Sequence, residues 1–185
     1  MKRIKKDFFL QSTSKVGKEL LGKYLVRKLD NGKIKKGKII ETEIYKGPED
    51  NAAHTCSGKT KRNKAVWGRG GALYIYLIYG MHWMLNIVTA EKEVPECVLI
   101  RAIDSKEIPL ERTNGPGKLT KYLEIDKKLY GEDLTKSNKI WLEPEKEKEE
   151  IKSSPRINID YAGNYWADKN WRFFIKKYED KLPKP

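Results

Sequence analysis

Cysteine and histidine are nearly missing from this chain, which has two of each: Cys56 and Cys97, His54 and His82. None of them stands in metal-ligand spacing, so a zinc site is excluded by inventory and neither a metal nor another cofactor is expected. Two distant cysteines read as small buried or half-buried residues of a reducing cytosol rather than as a disulfide. No apolar run approaches the ~20 residues a membrane span needs. The N-terminal MKRIKKDFFL is basic but has neither an apolar h-region nor a small-residue cleavage site, so no signal peptide is read. Internal repeats and long low-complexity segments are lacking too. Acid is in short supply: 26 Asp+Glu stand against 39 Lys+Arg, a formal net charge of +13.

Apolar material is not scarce. Hydrophobic residues make up 38% of the chain and aromatic residues 10%, with 5 Trp and 10 Tyr. That is enough for a core and excludes a disordered basic tail. A length of 185 residues fits one domain, taken as 1–185. A basic domain with no membrane span most often meets a polyanion, nucleic acid first. A lysine-rich solvated surface is the competing reading of the same charge.

Hydrophobic periodicity sets the elements. A helix is expected from about Ser14, with Val16, Leu20 and Leu21 on one face and a stop at Gly22. Strand-like alternation follows at Tyr24–Leu29, Lys38–Tyr45, Ala72–Tyr79, Trp83–Thr89 and Cys97–Ile103. Asn31-Gly32 predicts a hairpin between the first two, and Gly80 a second hairpin. From Asn114 the spacing of Leu119, Tyr122 and Leu123 is helical. Glu143–Lys152 is charged and reads as a solvated loop or exposed helical turn, whereas Arg156–Ala162 and Trp171–Ile175 read as further strand pieces. The sum is an α+β fold, a single domain built on a curved, mostly antiparallel sheet with surrounding helices.

The most informative segment is IIETEIYKGPEDNAAH, residues 39–54. In a strand, Glu41, Glu43 and Tyr45 share one face while Ile40, Thr42 and Ile44 share the other. Two carboxylates beside an aromatic ring suit a base that activates water next to a stacked planar ligand. An ordinary exposed face paired with lysines fits the same pattern. The basic stretch TKRN, with Arg62, can hold phosphates or simply be solvated. In LYIYLIYGMHWMLN, residues 73–86, Tyr74 and Tyr76 share a face and Tyr74 is assigned to core packing. Tyr79 falls where the strand gives way to a turn, so its ring can project as a stacking or wedging group for nucleic acid. Asn86 and Arg101 are polar residues inside apolar strands, either satisfied structurally or facing a pocket. NGPGKLT, residues 114–120, lacks P-loop spacing but offers a helix start and Lys118 to an anion.

In this order, ETEIYKGPEDNAAH, TKRN, LYIYLIYGMHWMLN, VLIRAI and GPGKL resemble the alkyladenine (3-methyladenine) DNA glycosylase family, as do RINIDYA and WRFF near the C-terminus. The resemblance runs from Leu20 to Phe173. It implies a fold like the C-terminal domain of methionyl-tRNA formyltransferase. It also implies a monofunctional, cofactor-free enzyme that flips alkylated or deaminated purines from double-stranded DNA and hydrolyses the N-glycosidic bond, leaving an abasic site. Carried over residue by residue, Glu43 is the general base and Arg101 lies near the attacking water. Tyr45, His54 and Tyr76 hold the flipped base, and Asn86 disfavours guanine by clashing with its 2-amino group. Tyr79, with Met81 beside it, fills the hole left in the duplex. Arg62 and Lys118 are assigned phosphate contacts, and Glu41 a supporting part.

The chain departs from the family pattern at His82 and Trp83, where mammalian relatives carry other aromatics, and at Asn170, where a proline is usual before the Trp-Arg-Phe; His82 is given no role. A monomer in the cytoplasm, associated with the nucleoid if the source is prokaryotic, is expected. The reading from another class is a non-catalytic nucleic-acid-binding module, in which a carboxylate such as Glu43 facing a polyanion would only repel. A helix-hairpin-helix glycosylase is disfavoured, because GPGKL has no second helix suitably placed around it.

Overall fold

A computed structural model describes residues 3–184. In chain order the elements are α1 (Lys6–Phe9), α2 (Thr13–Glu19), β1 (Tyr24–Lys28), β2 (Ile34–Lys46), β3 (Leu73–Ile78), β4 (His82–Thr89) and β5 (Glu96–Asp104). Then come α3 (Pro116–Tyr122), β6 (Ile140–Glu143), β7 (Ile151–Ser154), α4 (Asn164–Ala167) and β8 (Arg172–Ile175). Every described strand pairing is antiparallel, in the order β3-β4-β5-β2-β1-β6, with β8 also on β2 and β7 on β8. This is the α+β class expected.

β2 organises the sheet because it has two partners on one edge. Its first part, Ile34–Lys38, pairs β1, and Glu41–Glu43 pairs β8. Its other edge pairs β5 from Lys38 to Lys46. Two irregularities interrupt that ladder: Ile40 is skipped between the pairs Ile39↔Ile103 and Glu41↔Ala102, and Arg101 is skipped before Thr42↔Ile100. Ile39 and Ile40, like Ala102 and Ile103, consequently both join the main core, although neighbours in a regular strand would face opposite ways. The disturbance is confined to the residues around Glu41, which sits between the two irregularities, and Glu41, Glu43 and Tyr45 share a face as expected.

The opposite face is covered by Val16 and Leu20 near α2 and by Leu119 and Leu123 near α3, all fully buried with Ile44, Val98 and Ile100. Each such side chain contributes about 1.5–3 kcal/mol by leaving water. Gly17 sets how closely α2 approaches: a Cβ there would lie 2.6 Å from Ile44 Cγ2, and the Gly17 carbonyl accepts from Thr42 Oγ1 at 2.9 Å.

Three expectations need correction. Residues 156–162 are not a strand: Asn158 has φ +59°, which breaks extension, and Asp160–Ala162 is a single 3-10 turn. The charged 143–152 stretch is mostly a loop, but its end enters β7, and Glu149 is drawn in as the partner of Lys38 (3.0 Å) and Lys177 (2.9 Å). Cys97 is buried as expected, whereas Cys56 is exposed on the loop after β2.

Candidate active site

Beyond β2 the chain turns through a cis Gly47-Pro48 bond into a loop that Asp50 shapes from within. Its carboxylate accepts from the backbone N–H of Ala52 (3.0 Å) and of Lys46 (3.2 Å). It is also held by both terminal nitrogens of Arg156, at 2.6 and 2.9 Å, in a pair wholly shielded from water. A bidentate Arg–carboxylate pair fixes orientation as well as distance. Arg156 then serves as a floor for aromatic rings, lying 4.7 Å from the centre of Tyr45 and 5.1 Å from that of Trp171.

The loop and the β3–β4 hairpin enclose a cleft with an empty volume of about 410 Å³, counted out to its mouth. Tyr45, His54, Tyr76 and Asn86 all line it, so the structure brings together the four residues assigned to one base pocket. His54 stands edge-on to Tyr76, ring centres 4.4 Å apart, and its Nδ1 is 2.8 Å from the Tyr74 hydroxyl. Partial enclosure pushes the imidazole below its ordinary value, and the nearby Arg62 guanidinium adds to the shift. Burial raises the phenols of Tyr45 and Tyr76, so both rings are neutral hydrogen-bonding walls at physiological pH. Deeper in, Asn86 donates from Nδ2 to the Tyr74 carbonyl at 3.2 Å, beside the Cys97 thiol, which burial pushes up to about 12.

Glu43 lies under Tyr45 rather than on the cleft surface, fully buried. Oε2 accepts from the Tyr45 hydroxyl (2.9 Å) and from Arg101 Nη1 (3.1 Å), and Oε1 from the backbone N–H of Ile157 (2.8 Å). Tyr79 and Met81 sit at the tip of the β3–β4 hairpin, 85% and 69% exposed. Tyr79 (φ +50°) and Gly80 (φ +68°) are the central residues of a turn closed by Met81 N–H to the Ile78 carbonyl at 3.1 Å. A bulky residue in this left-handed region is uncommon, and here it turns the ring outward.

The two candidate phosphate residues are placed differently. Arg62 donates to the Leu77 carbonyl (3.1 Å) and lies 5.5 Å from the Tyr76 ring centre, beside the cleft. Lys118 is not brought to the cleft: it lines a separate surface groove with Arg112 and Lys121, and bonds Asn114 Oδ1 at 2.9 Å. His82 packs against Gly117, where a Cβ would come within 3.0 Å of its ring, so it joins the turn end of the hairpin to α3.

Several residues escaped the sequence reading. Tyr74 packs as a core residue, yet its hydroxyl reaches the cleft. Asn63, within the basic TKRN stretch, is buried and donates to the carbonyls of His54 (2.8 Å) and Gly58 (2.9 Å), tying the His54 loop down. Tyr161, 73% exposed, stands at the cleft mouth with its hydroxyl 3.3 Å from the Ala52 carbonyl. The TKRN stretch offered only charge, and Asp50, Arg156 and Tyr161 are brought together by tertiary contacts across more than 100 residues.

Comparison with known proteins gives this arrangement its class. A family model described as Methylpurine-DNA glycosylase (MPG) matches residues 7–179, nearly the whole described chain. The protein is a DNA repair glycosylase, a hydrolase acting on N-glycosidic bonds. More particularly, it belongs to the methylpurine-DNA glycosylase family. Its relatives include a protein of Borrelia garinii subsp. bavariensis, 45% identical over 175 residues, 91% of this chain and 94% of the relative. A protein of Natranaerobius thermophilus is 41% identical over 187 residues (92% and 93%), and one of Legionella pneumophila strain Corby 41% over 177 residues (95% and 96%). All three are provisionally named 3-methyladenine DNA glycosylase. The non-catalytic module considered above finds no support among them. Among the described residues, no helix is long and apolar enough to cross a membrane.

Proposed function

We propose that this glycosylase acts as a monomer on duplex DNA in the bacterial nucleoid, that residues 1–185 form one glycosylase domain, and that its substrates are alkylated purines, 3-methyladenine among them, with deaminated purines as a further class. The observation that carries the reading is the tether between Tyr45 and Glu43: a ring on the cleft wall hydrogen-bonded to a buried carboxylate behind it.

Tyr79 enters the stack, with Met81 beside it, and offsets part of the few kcal/mol that flipping a base requires, a requirement that falls for damaged or mispaired bases. The flipped purine lies between Tyr45 on one side and His54 and Tyr76 on the other. Asn86 meets its inner edge and leaves no room for the 2-amino group of guanine. Glu43 takes a proton from a water molecule, and the water oxygen bonds to C1′ as the bond from C1′ to the purine nitrogen breaks. The bonding electrons leave with the base, so an N-alkylated purine cation departs neutral and the sugar is left as an abasic site. Arg101 steadies the carboxylate in its charged form. A cationic base leaves without an acid, so one carboxylate suffices where glycoside hydrolases use two. Arg62 meets a phosphate at the cleft edge. Lys118, on the separate groove beside α3, is proposed to touch a phosphate away from the flipped nucleotide.

The test is base release from duplex DNA containing 3-methyladenine, ethenoadenine or hypoxanthine by wild type and Glu43→Gln. The variant is expected to bind the DNA and free no base. Unchanged release by Glu43→Gln overturns the mechanism.

A further inference from the structure

Glu43 is not the only buried carboxylate at this end of β2. Glu41, two residues earlier on the same face, is equally shielded from water. Its Oε1 holds Arg172 Nε at 2.5 Å and lies 3.3 Å from Arg101 Nε, while the same Arg101 reaches Glu43 from Nη1 at 3.1 Å. Arg101 is the residue skipped by the β2–β5 ladder, so its guanidinium is delivered between the two carboxylates by a backbone irregularity. Arg172 is anchored elsewhere too, donating to Ser154 Oγ (3.1 Å) and to the Pro183 carbonyl (2.7 Å). The four groups form a closed set, two carboxylates and two guanidiniums, without net charge.

We propose that Glu41 is a positioning residue, which divides Arg101 between two carboxylates and so keeps Glu43 from being locked into a full ion pair. The proposal rests on the reading of Glu43 given above. A carboxylate paired with an undivided guanidinium is a weaker base, because the neighbouring positive charge favours its ionised form. With Glu41 present, Arg101 Nε lies 3.3 Å from it in ion-pair contact without a hydrogen bond, and one terminal nitrogen of Arg101 hydrogen-bonds Glu43. Glu43 is faced by Arg101 from β5, by Tyr45 and Glu41 from its own strand, by Arg172 across the β8 pairing and, at longer range, by the Tyr76 and Tyr161 phenols. Arg156, behind Tyr45, is already neutralised by Asp50. Removing the charge of Glu41 leaves Arg101 and Arg172 with an excess positive charge beside Glu43 and also removes a like charge. Both changes stabilise the ionised form of Glu43.

The experiment measures single-turnover excision of 3-methyladenine from duplex DNA against pH for wild type, Glu41→Gln, Glu41→Asp and Glu43→Gln, with DNA affinity measured alongside. This base is a cation while attached and departs neutral with the bonding electrons, needing no acid, so the acid limb of the profile reports the general base. Glu41→Gln is expected to excise about 10- to 100-fold more slowly, with duplex binding retained, because a small misplacement of reacting groups is enough for such a loss. Its acid limb is expected to move to lower pH by about one pH unit. Glu41→Asp keeps the charge and is expected to hold the acid limb at its wild-type position while recovering part of the rate. If Glu41→Gln does not fold, an acid limb displaced in Glu41→Asp overturns the proposal and an undisplaced one supports it. An unshifted acid limb in a folded Glu41→Gln overturns it. Inactive Glu43→Gln together with wild-type behaviour of Glu41→Gln removes this proposal alone, whereas active Glu43→Gln removes the reading beneath it as well.

Discussion

The hydroxyl of Tyr45 donates to Glu43 Oε2 across 2.9 Å. The ring that would stack on a flipped base is thereby tied to the group that would activate water, and a shift of either is felt by the other. A hydrogen bond to a buried charged group contributes about 1.5–3 kcal/mol. Tyr45→Phe should lose stability in that range, read by urea unfolding, while keeping its ring in the wall. Affinity for duplex containing a damaged base should fall further in Tyr45→Ala than in Tyr45→Phe. Equal losses in the two would mean that the wall contributes nothing beyond its hydroxyl.

Tyr79 offers a cleaner separation of stability from function. Its side chain is 85% exposed and its φ of +50° suits glycine better than tyrosine. Tyr79→Gly relieves about 1–2 kcal/mol of left-handed strain and adds about 0.5–1 kcal/mol of unfolded-chain freedom, so the melting temperature should hardly move. Excision should nonetheless slow at least about tenfold, since the wedge would offset part of the flipping energy. A wild-type excision rate in this variant would remove Tyr79 from the mechanism.

The Asp50–Arg156 pair supports the same wall from below. Cutting one side leaves an unpaired buried charge, which destabilises by about 3–5 kcal/mol. Asp50→Asn should fall in that range by chemical denaturation, with weakened binding of duplex containing a damaged base, because Arg156 no longer backs the Tyr45 ring. Asp50→Asn combined with Arg156→Met should recover part of the stability. A double variant no better than the sum of the two single ones would show that the pair is not coupled.

The sheet was legible wherever side chains alternated: β1, β3, β4, β5 and β8 lie within a residue or two of their expected bounds, and the glycine turns at Gly32 and Gly80 fall where expected. β2 begins earlier than its periodicity suggested, because Lys35 lies on the face towards Tyr122 and Lys36 and Lys38 on the other, so lysines on both faces obscure the pattern. The failure at residues 156–162 has a different origin. Arg156, Ile157 and Ile159 are buried by what surrounds them, not by a strand, and Asn158 turns the backbone between them. For the cleft, the face shared by Glu43 and Tyr45 could be read from spacing alone. The meeting of β2, the loop after it and the β3–β4 hairpin could not, and the assignment of His54, Tyr76 and Asn86 to a common pocket came from family resemblance. Lys118 shows the limit of that route, since its short helix leads to another groove.

The two irregularities between β2 and β5 occur on opposite strands, one at Ile40 and the next at Arg101, and they cancel. Ile39↔Ile103 before them and Thr42↔Ile100 after them obey the same residue arithmetic. They behave like an insertion and a deletion that together restore a reading frame. A single one would turn every later side chain of the strand to the other face of the sheet. As a pair they confine the disturbance to a few residues, and the aim of one arginine can be changed there without renegotiating the rest of the barrel-like curl.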